Sequence, residues 1–264
     1  MRDRLIFAGQ LLFTLLVAAF LVVPALLSIA AGVTANYFRG ISSGVTLQWV
    51  VQVWTLYADS IVLSFVIALA TLAVTLVVGV PAAYALHIRG GAWSRLIEEV
   101  ITLPLAIPGL AIALALLLTY GGFGEFRRSW LFILVGHVVF TMPFMVRSVM
   151  AVFATIDIRT LDEGAASLGA SPARRFVDVI VPNAMPGILA GALMVVTLSL
   201  GEFNLTWMLH TPLTKTLPVG LADSYASMRL EVASAYTLIF FIMIVPLLVA
   251  MQLLAEREPN DDGG

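Results

Sequence analysis

The residues from Asp162 to Pro182, DEGAASLGASPARRFVDVIVP, are the longest polar interruption between two strongly apolar segments. Thr160-Leu161-Asp162-Glu163 has the form of a capping box, in which Thr160 caps the first amides of a helix and Glu163 reaches back to the cap. Gly169 stands where a helix C-terminus calls for a left-handed residue, a conformation glycine adopts without steric cost. Ser171-Pro172 then restarts the chain as an N-cap followed by proline at the first helical position. The pattern predicts two short helices joined by a Gly turn and held at a membrane surface.

Residues that could make or break bonds are few. A P-loop needs Gly-Lys-Ser/Thr to cradle phosphates, but the single lysine, Lys215, follows Thr214, so this chain has no Walker A sequence. His87, His137 and His210 lie on separate segments and none is followed by Glu, which excludes an HExxH zinc site. His137, inside an apolar stretch, reads as a packed, hydrogen-bonded side chain. With no cysteine, disulfides, thiolate catalysis and cysteine metal sites are excluded. Glu202 is the ionisable residue that a bilayer would make most expensive. Two readings of it stand: a cavity or gate residue bonded to Asn204 or Thr206, or a residue already solvated in the interface.

The elements that must position these residues follow from composition. At 61% hydrophobic and 11% charged, with mean hydropathy +1.02, the sequence is that of an all-α integral membrane protein; a soluble domain would be about a quarter charged. Basic residues do not cluster enough to point to nucleic acid. Six stretches approach the roughly 20 apolar residues that cross a bilayer: near 5–31, 59–86, 101–120, 131–153, 185–208 and 233–254, with a polar loop over 154–184. The first has an apolar core far longer than that of a signal peptide and reads as an uncleaved anchor. Between the first two spans, Trp49, Trp54 and Tyr57 mark an outer amphipathic segment.

The third span opens with Pro104, Pro108 and Gly109, which break the backbone ladder at membrane depth. This is either a kink at a helix start or a bend lining a pathway. Gly187 and Gly191, at GxxxG spacing in the fifth span, permit close helix approach, within the bundle or to a second subunit.

Lys and Arg placement orients the chain. With the N-terminus inside, Arg2, Arg4, Arg89, Arg95, Arg147, Arg159, Arg174, Arg175 and Arg257 are cytoplasmic. Arg39, Arg127, Arg128, Lys215 and Arg229 lie outside, with Arg127-Arg128 as the dissent. Both termini and the 154–184 loop are then cytoplasmic, and a polar tail runs from Glu256 to Gly264.

Glu163-Gly164-Ala165, three residues, Gly169, nine residues and Val179-Ile180-Val181-Pro182 resemble the EAA loop of permease subunits of bacterial type I ABC importers. The family pattern is E-A-A, three residues, G, nine residues, I-x-L-P. Gly164 replaces the first Ala here, and Val179 and Val181 replace Ile and Leu. The resemblance extends over the six spans and the GEFNLTW stretch from Gly201 to Trp207.

It implies a permease of the bacterial inner membrane that is not itself catalytic and forms half of a translocation pathway with a second permease, homologous or identical. It also implies two ABC ATPase subunits, which bind ATP and Mg, and an extracytoplasmic substrate-binding protein. Glu163, Gly164, Ala165, Gly169, Ser171, Pro172 and Pro182 would form the ATPase-coupling loop, and Pro104, Pro108, Glu202 and Asn204 the pathway or gate. GEFNLTWMLHTPLTKTLPVGLADSY, from Gly201 to Tyr225, is similar to permeases of the phosphonate, polyamine, ferric iron and sulfate/molybdate branch, most of all the 2-aminoethylphosphonate type. The alternative class is an intramembrane enzyme, for which no nucleophile motif is visible, or a channel, which would need a filter or charged ring.

Overall fold

In hydrocarbon an amide or carbonyl has no water to bond, so long apolar runs must satisfy their backbone internally, as helices. The computed structural model, which describes residues 2–257, meets that demand with thirteen helices and, among the described residues, no strand beyond an isolated Thr34–Val45 bridge. They are α1 (Arg2–Ala31), α2 (Gln48–Leu56), α3 (Ala58–Arg89), α4 (Gly91–Thr102), α5 (Gly109–Tyr120), α6 (Gly124–Arg128), α7 (Trp130–Phe153), α8 (Ile158–Ser167), α9 (Pro172–Arg174), α10 (Val181–Gly201), α11 (Asn204–Leu209), α12 (Leu217–Ala226) and α13 (Leu230–Arg257). Most of the expected polar tail, 258–264, lies outside the described residues.

Among the described residues, five helices are long and apolar enough to cross a membrane: Ile6–Ala31, Ala58–Arg89, Trp130–Phe153, Pro172–Gly201 and Leu230–Leu253. The expected third span is a sixth only as a bent pair, Gly91–Ala106 and Gly109–Tyr120, which meet at 108°. Pro104 sits in a 3₁₀ turn (Leu103–Ala106), and Ile107 is extended at φ −103, ψ 129. A residue preceding proline is pushed from the helical region, and Pro108 has no amide to continue the ladder. The span therefore breaks at Ile107-Pro108 instead of running straight over 101–120. With 12 residues, α5 rises only about 18 Å and cannot cross alone.

The fifth span also departs from its expected limits of 185–208. It begins at Pro172 and ends at Gly201, because α9, a π-helical turn (Arg175–Ile180) and α10 run on as one 30-residue helix. Hydropathy cannot mark a helix that continues through polar residues. The π turn lies just upstream of Pro182, which can donate no bond, and the Asn183 side chain supplies one to the Val179 carbonyl at 2.7 Å. Beyond Gly201 the chain turns extended at Glu202 (φ −70, ψ 116) before α11.

The chain divides into two compact units, Met1–Ala58 with Gly220–Met243 and Asp59–Val219 with Ile244–Gly264. In the first, Trp49 Nε1 donates to the Thr34 carbonyl (2.9 Å), Glu231 Oε1 accepts the Tyr37 amide (2.8 Å), and Arg229 donates to the Tyr57 hydroxyl (2.8 Å). Its α2 carries exposed Val51 and Trp54 opposite buried Val53, as an interfacial helix would.

The second unit holds two apolar cores. One gathers Val80, Ala83, Met145, Val149, Phe153, Ile180 and Ala184; the other gathers Ile67, Ala113, Phe132, Ile133, Leu205 and Leu209. Of the two partners open to the Gly187/Gly191 pair, the structure gives it α7. A Cβ on Gly187 would lie 2.6 Å from the Ser148 carbonyl oxygen and 3.0 Å from Val149 Cα; one on Gly191 would lie 2.9 Å from Met145 Sδ. Gly187→Ala is accordingly expected to cost roughly 1–3 kcal/mol by overpacking, read as a fall in melting temperature of the detergent-solubilised protein. Gly164→Ala, with nothing within 4 Å of the new Cβ, is the control and should not lower it.

Candidate functional site

The polar loop folds as a helical hairpin. Asp157, one turn earlier than expected, is the N-cap of α8: its carboxylate accepts the Thr160 amide at 3.1 Å and the Thr160 hydroxyl at 2.6 Å. The predicted capping box at Thr160 therefore does not form. A carboxylate that takes both the amide and the hydroxyl of Thr160 fixes the helix start at Asp157 and leaves Thr160 inside the first turn. The Thr160 hydroxyl and amide in turn hold the Asp157 carboxyl below its usual pKa. Glu163 instead faces Arg159 at 3.9 Å, with both side chains exposed, a pair of little energetic weight.

Gly169 takes the left-handed conformation expected of it, φ +83. Its amide bonds to the Ala166 carbonyl (2.9 Å) and that of Ala170 to Ala165 (3.1 Å), the paired bonds of a Schellman motif. Ser171 Oγ accepts the Arg174 amide at 3.4 Å and Pro172 occupies the first helical turn, as the sequence indicates. At the tip, Leu168 is 89% exposed. The second limb is not a separate short helix, as expected, but the start of the fifth span.

Sequence reasoning missed what fixes the hairpin to the bundle. Asp162 faces inward, accepting the Tyr84 hydroxyl at 2.9 Å on one oxygen and Arg175 Nη1 at 2.7 Å on the other. Arg159 adds a bond to the Ile88 carbonyl at 3.2 Å. Thus α8, the π turn and the end of α3 meet at one half-buried ion pair. The signal was an Asp and an Arg flanking the Gly turn, but the partner of Asp162 on α3, Tyr84, lies 78 residues away.

A separate constellation surrounds the break between α10 and α11. Glu202 is buried, 9% exposed, and Oε1 accepts the Leu205 amide at 2.9 Å. A Cβ on Gly109 would lie 3.2 Å from the same oxygen, so the start of α5 abuts this carboxylate. The structure thereby brings Glu202 beside the Pro108-Gly109 break, with Pro108 exposed and Pro104 half-buried. Of the two expected partners of Glu202, the Thr206 hydroxyl bonds to His137 instead, while Asn204, whose side chain is exposed, meets the carboxylate through its backbone amide. At the far end of α11, Arg127 Nη1 donates to the Leu209 carbonyl (2.8 Å) and lies over the Phe132 ring. The Arg127-Arg128 pair that disturbed the charge rule thus has local partners, Arg128 pairing with Glu125.

The chain as a whole is similar to known proteins. The family model described as "Binding-protein-dependent transport system inner membrane component" matches residues 75–258. The chain is 26% identical over 252 residues to a putative 2-aminoethylphosphonate transport system permease protein, PhnV, of Salmonella typhimurium, covering 95% of each chain. It is 29% identical over 210 residues to the molybdenum transport system permease protein ModB of Azotobacter vinelandii, covering 74% of this chain and 92% of that one. In fold it is similar to a chain of a bacterial ABC transporter that imports alginate, with TM-score 0.73, 15% identity and coverage of 98% and 97%. A chain of the inward-facing MetNI methionine ABC transporter matches with TM-score 0.57 and 19% identity, over 80% of this chain and 94% of that one. The chain belongs to the family of binding-protein-dependent transport system inner membrane components, the multi-pass permease subunits of ABC importers.

Proposed function

We propose that the α8 hairpin is the surface on which a partner ATPase docks, and that this chain carries no chemistry of its own beyond transmitting ATP-driven motion to the pathway. The carrying observation is a Gly-capped hairpin that presents Leu168 and Glu163 outward while its second limb continues directly into a membrane span. Glu163, Ala165 and Gly169 shape the docking core, Ser171 and Pro172 start the second limb, and Leu168 is the apolar knob. Two ATPases bind ATP and Mg, a second permease, identical or homologous, completes the pathway, and an extracytoplasmic binding protein delivers substrate. Both termini and the hairpin then face the cytoplasm. Glu202, with Pro104, Pro108 and Asn204, lies at the pathway.

The substrate in this reading is a small polar solute such as 2-aminoethylphosphonate, supported by the likeness to PhnV over nearly the whole chain. Molybdate is the second reading, supported by the likeness to ModB; sulfate, polyamine and ferric iron are the remaining alternatives from the sequence. Gentle solubilisation of native membranes containing the tagged chain, followed by mass spectrometry, should recover a P-loop ATPase and a binding protein. The binding protein's affinity for 2-aminoethylphosphonate against molybdate then decides the substrate. A chain that repeatedly emerges intact and alone overturns the docking assignment.

A further inference from the structure

We propose that His137 is a positioning residue that sets the angle at the break between α10 and α11. Its ring is buried on α7, 1% exposed, and each nitrogen has a partner on a different side of that break. Nδ1 lies 2.8 Å from Ser199 Oγ on α10, and Nε2 lies 2.8 Å from Thr206 Oγ1 on α11. Between these two hydroxyls the chain leaves the helix at Gly201-Glu202 and re-enters it at Asn204. One imidazole on α7 therefore joins α10 and α11 across the break.

The neighbouring residue makes the reach possible. A Cβ on Gly136 would fall 2.5 Å from Leu205 Cδ2 and 2.7 Å from Leu209 Cδ1, so α7 approaches α11 closely just where His137 projects. A neutral imidazole offers one donor and one acceptor, and a hydroxyl can play either part, so both bonds form in either tautomer. The Ser199–His137 distance is also that of a nucleophile and its base. Here, however, the ring's other nitrogen is held by a hydroxyl rather than a carboxylate, and Ser199 is itself buried. The pair serves geometry. Because Glu202 lies within the clamped segment, the clamp also fixes where its carboxylate stands against α5.

The sequence contains no cysteine, so a spin-label pair can be placed cleanly across the break, at exposed Met194 and Trp207, in the assembled transporter. With His137 intact, one narrow distance distribution is expected; in His137→Leu it should shift or become roughly twofold broader as the two helices uncouple. A histidine that merely fills the core would lower the melting temperature without moving that distance.

The partner cycle needs no His137→Leu protein and decides the matter if that variant fails to insert. Ser199→Ala and Thr206→Val should each broaden the distribution, but Thr206→Val should add nothing in a His137→Asn background, where the ring's Nε2 is already absent. An unchanged distribution in His137→Leu, or effects of Thr206→Val that are the same with and without the imidazole, overturns the proposal.

Discussion

A Gly169→Val substitution is expected to leave the protein inserted and stable while ATP-driven uptake falls about tenfold, because the turn between α8 and the second limb requires φ +83. Forcing an L-residue into that conformation costs roughly 1–2 kcal/mol, enough to depopulate the docking-competent hairpin about 5–30-fold. No heavy atom lies within 4 Å of the position where a Cβ would sit, so the penalty is conformational and not steric. That separates the variants by chemistry rather than by size. Gly169→Asn, whose side chain tolerates the left-handed region, should retain much of the uptake that the β-branched Val loses. The measurement is substrate uptake in proteoliposomes normalised to inserted protein. Equal uptake by the Val variant and the wild type would count against the hairpin as the docking surface.

The second large effect concerns Asp162 and Arg175, whose side chains are 12% and 21% exposed and meet at 2.7 Å. Asp162→Leu strands the guanidinium and the Tyr84 hydroxyl; Arg175→Met strands the carboxylate. Either is expected to destabilise by about 3 kcal/mol, at the lower end for a broken buried pair because this one keeps some water. The double variant removes both charges and should recover most of that loss in the melting curve. Uptake should not recover with it, because the tie from α8 to Tyr84 on α3, which Arg175→Met keeps, is gone in the double variant as it is in Asp162→Leu. Restored uptake in the double variant would show that the ion pair serves stability alone.

Local chemistry was legible in the sequence, and chemistry between distant segments was not. Gly169, Ser171 and Pro172 were read correctly because a turn and a cap depend on residues a few positions apart. Thr160 was misread for the same reason: Asp157 competes for the same helix start, and a motif search favours the four-residue box over the stronger acceptor.

Pro104 and Pro108 announced a break, since proline removes an amide wherever it stands, but its 108° bend depends on packing. The break at Glu202 had no proline to mark it, and the span was drawn straight through. Tyr84 with Asp162 and His137 with Ser199 and Thr206 join residues many tens of positions apart, which periodicity cannot pair.

The π turn at Arg175–Ile180 has a consequence for the phase of the long helix. A π turn bonds each residue one position further along than an α turn, and one residue corresponds to about 100° of rotation around the axis. The face of Pro172–Gly201 that meets α7 inside the membrane is therefore offset from the face a uniform α-helix would present at the hairpin. Chain length here acts as an angular setting: deleting one residue from this turn would swing the hairpin around the helix axis while leaving every membrane contact of α10 in place.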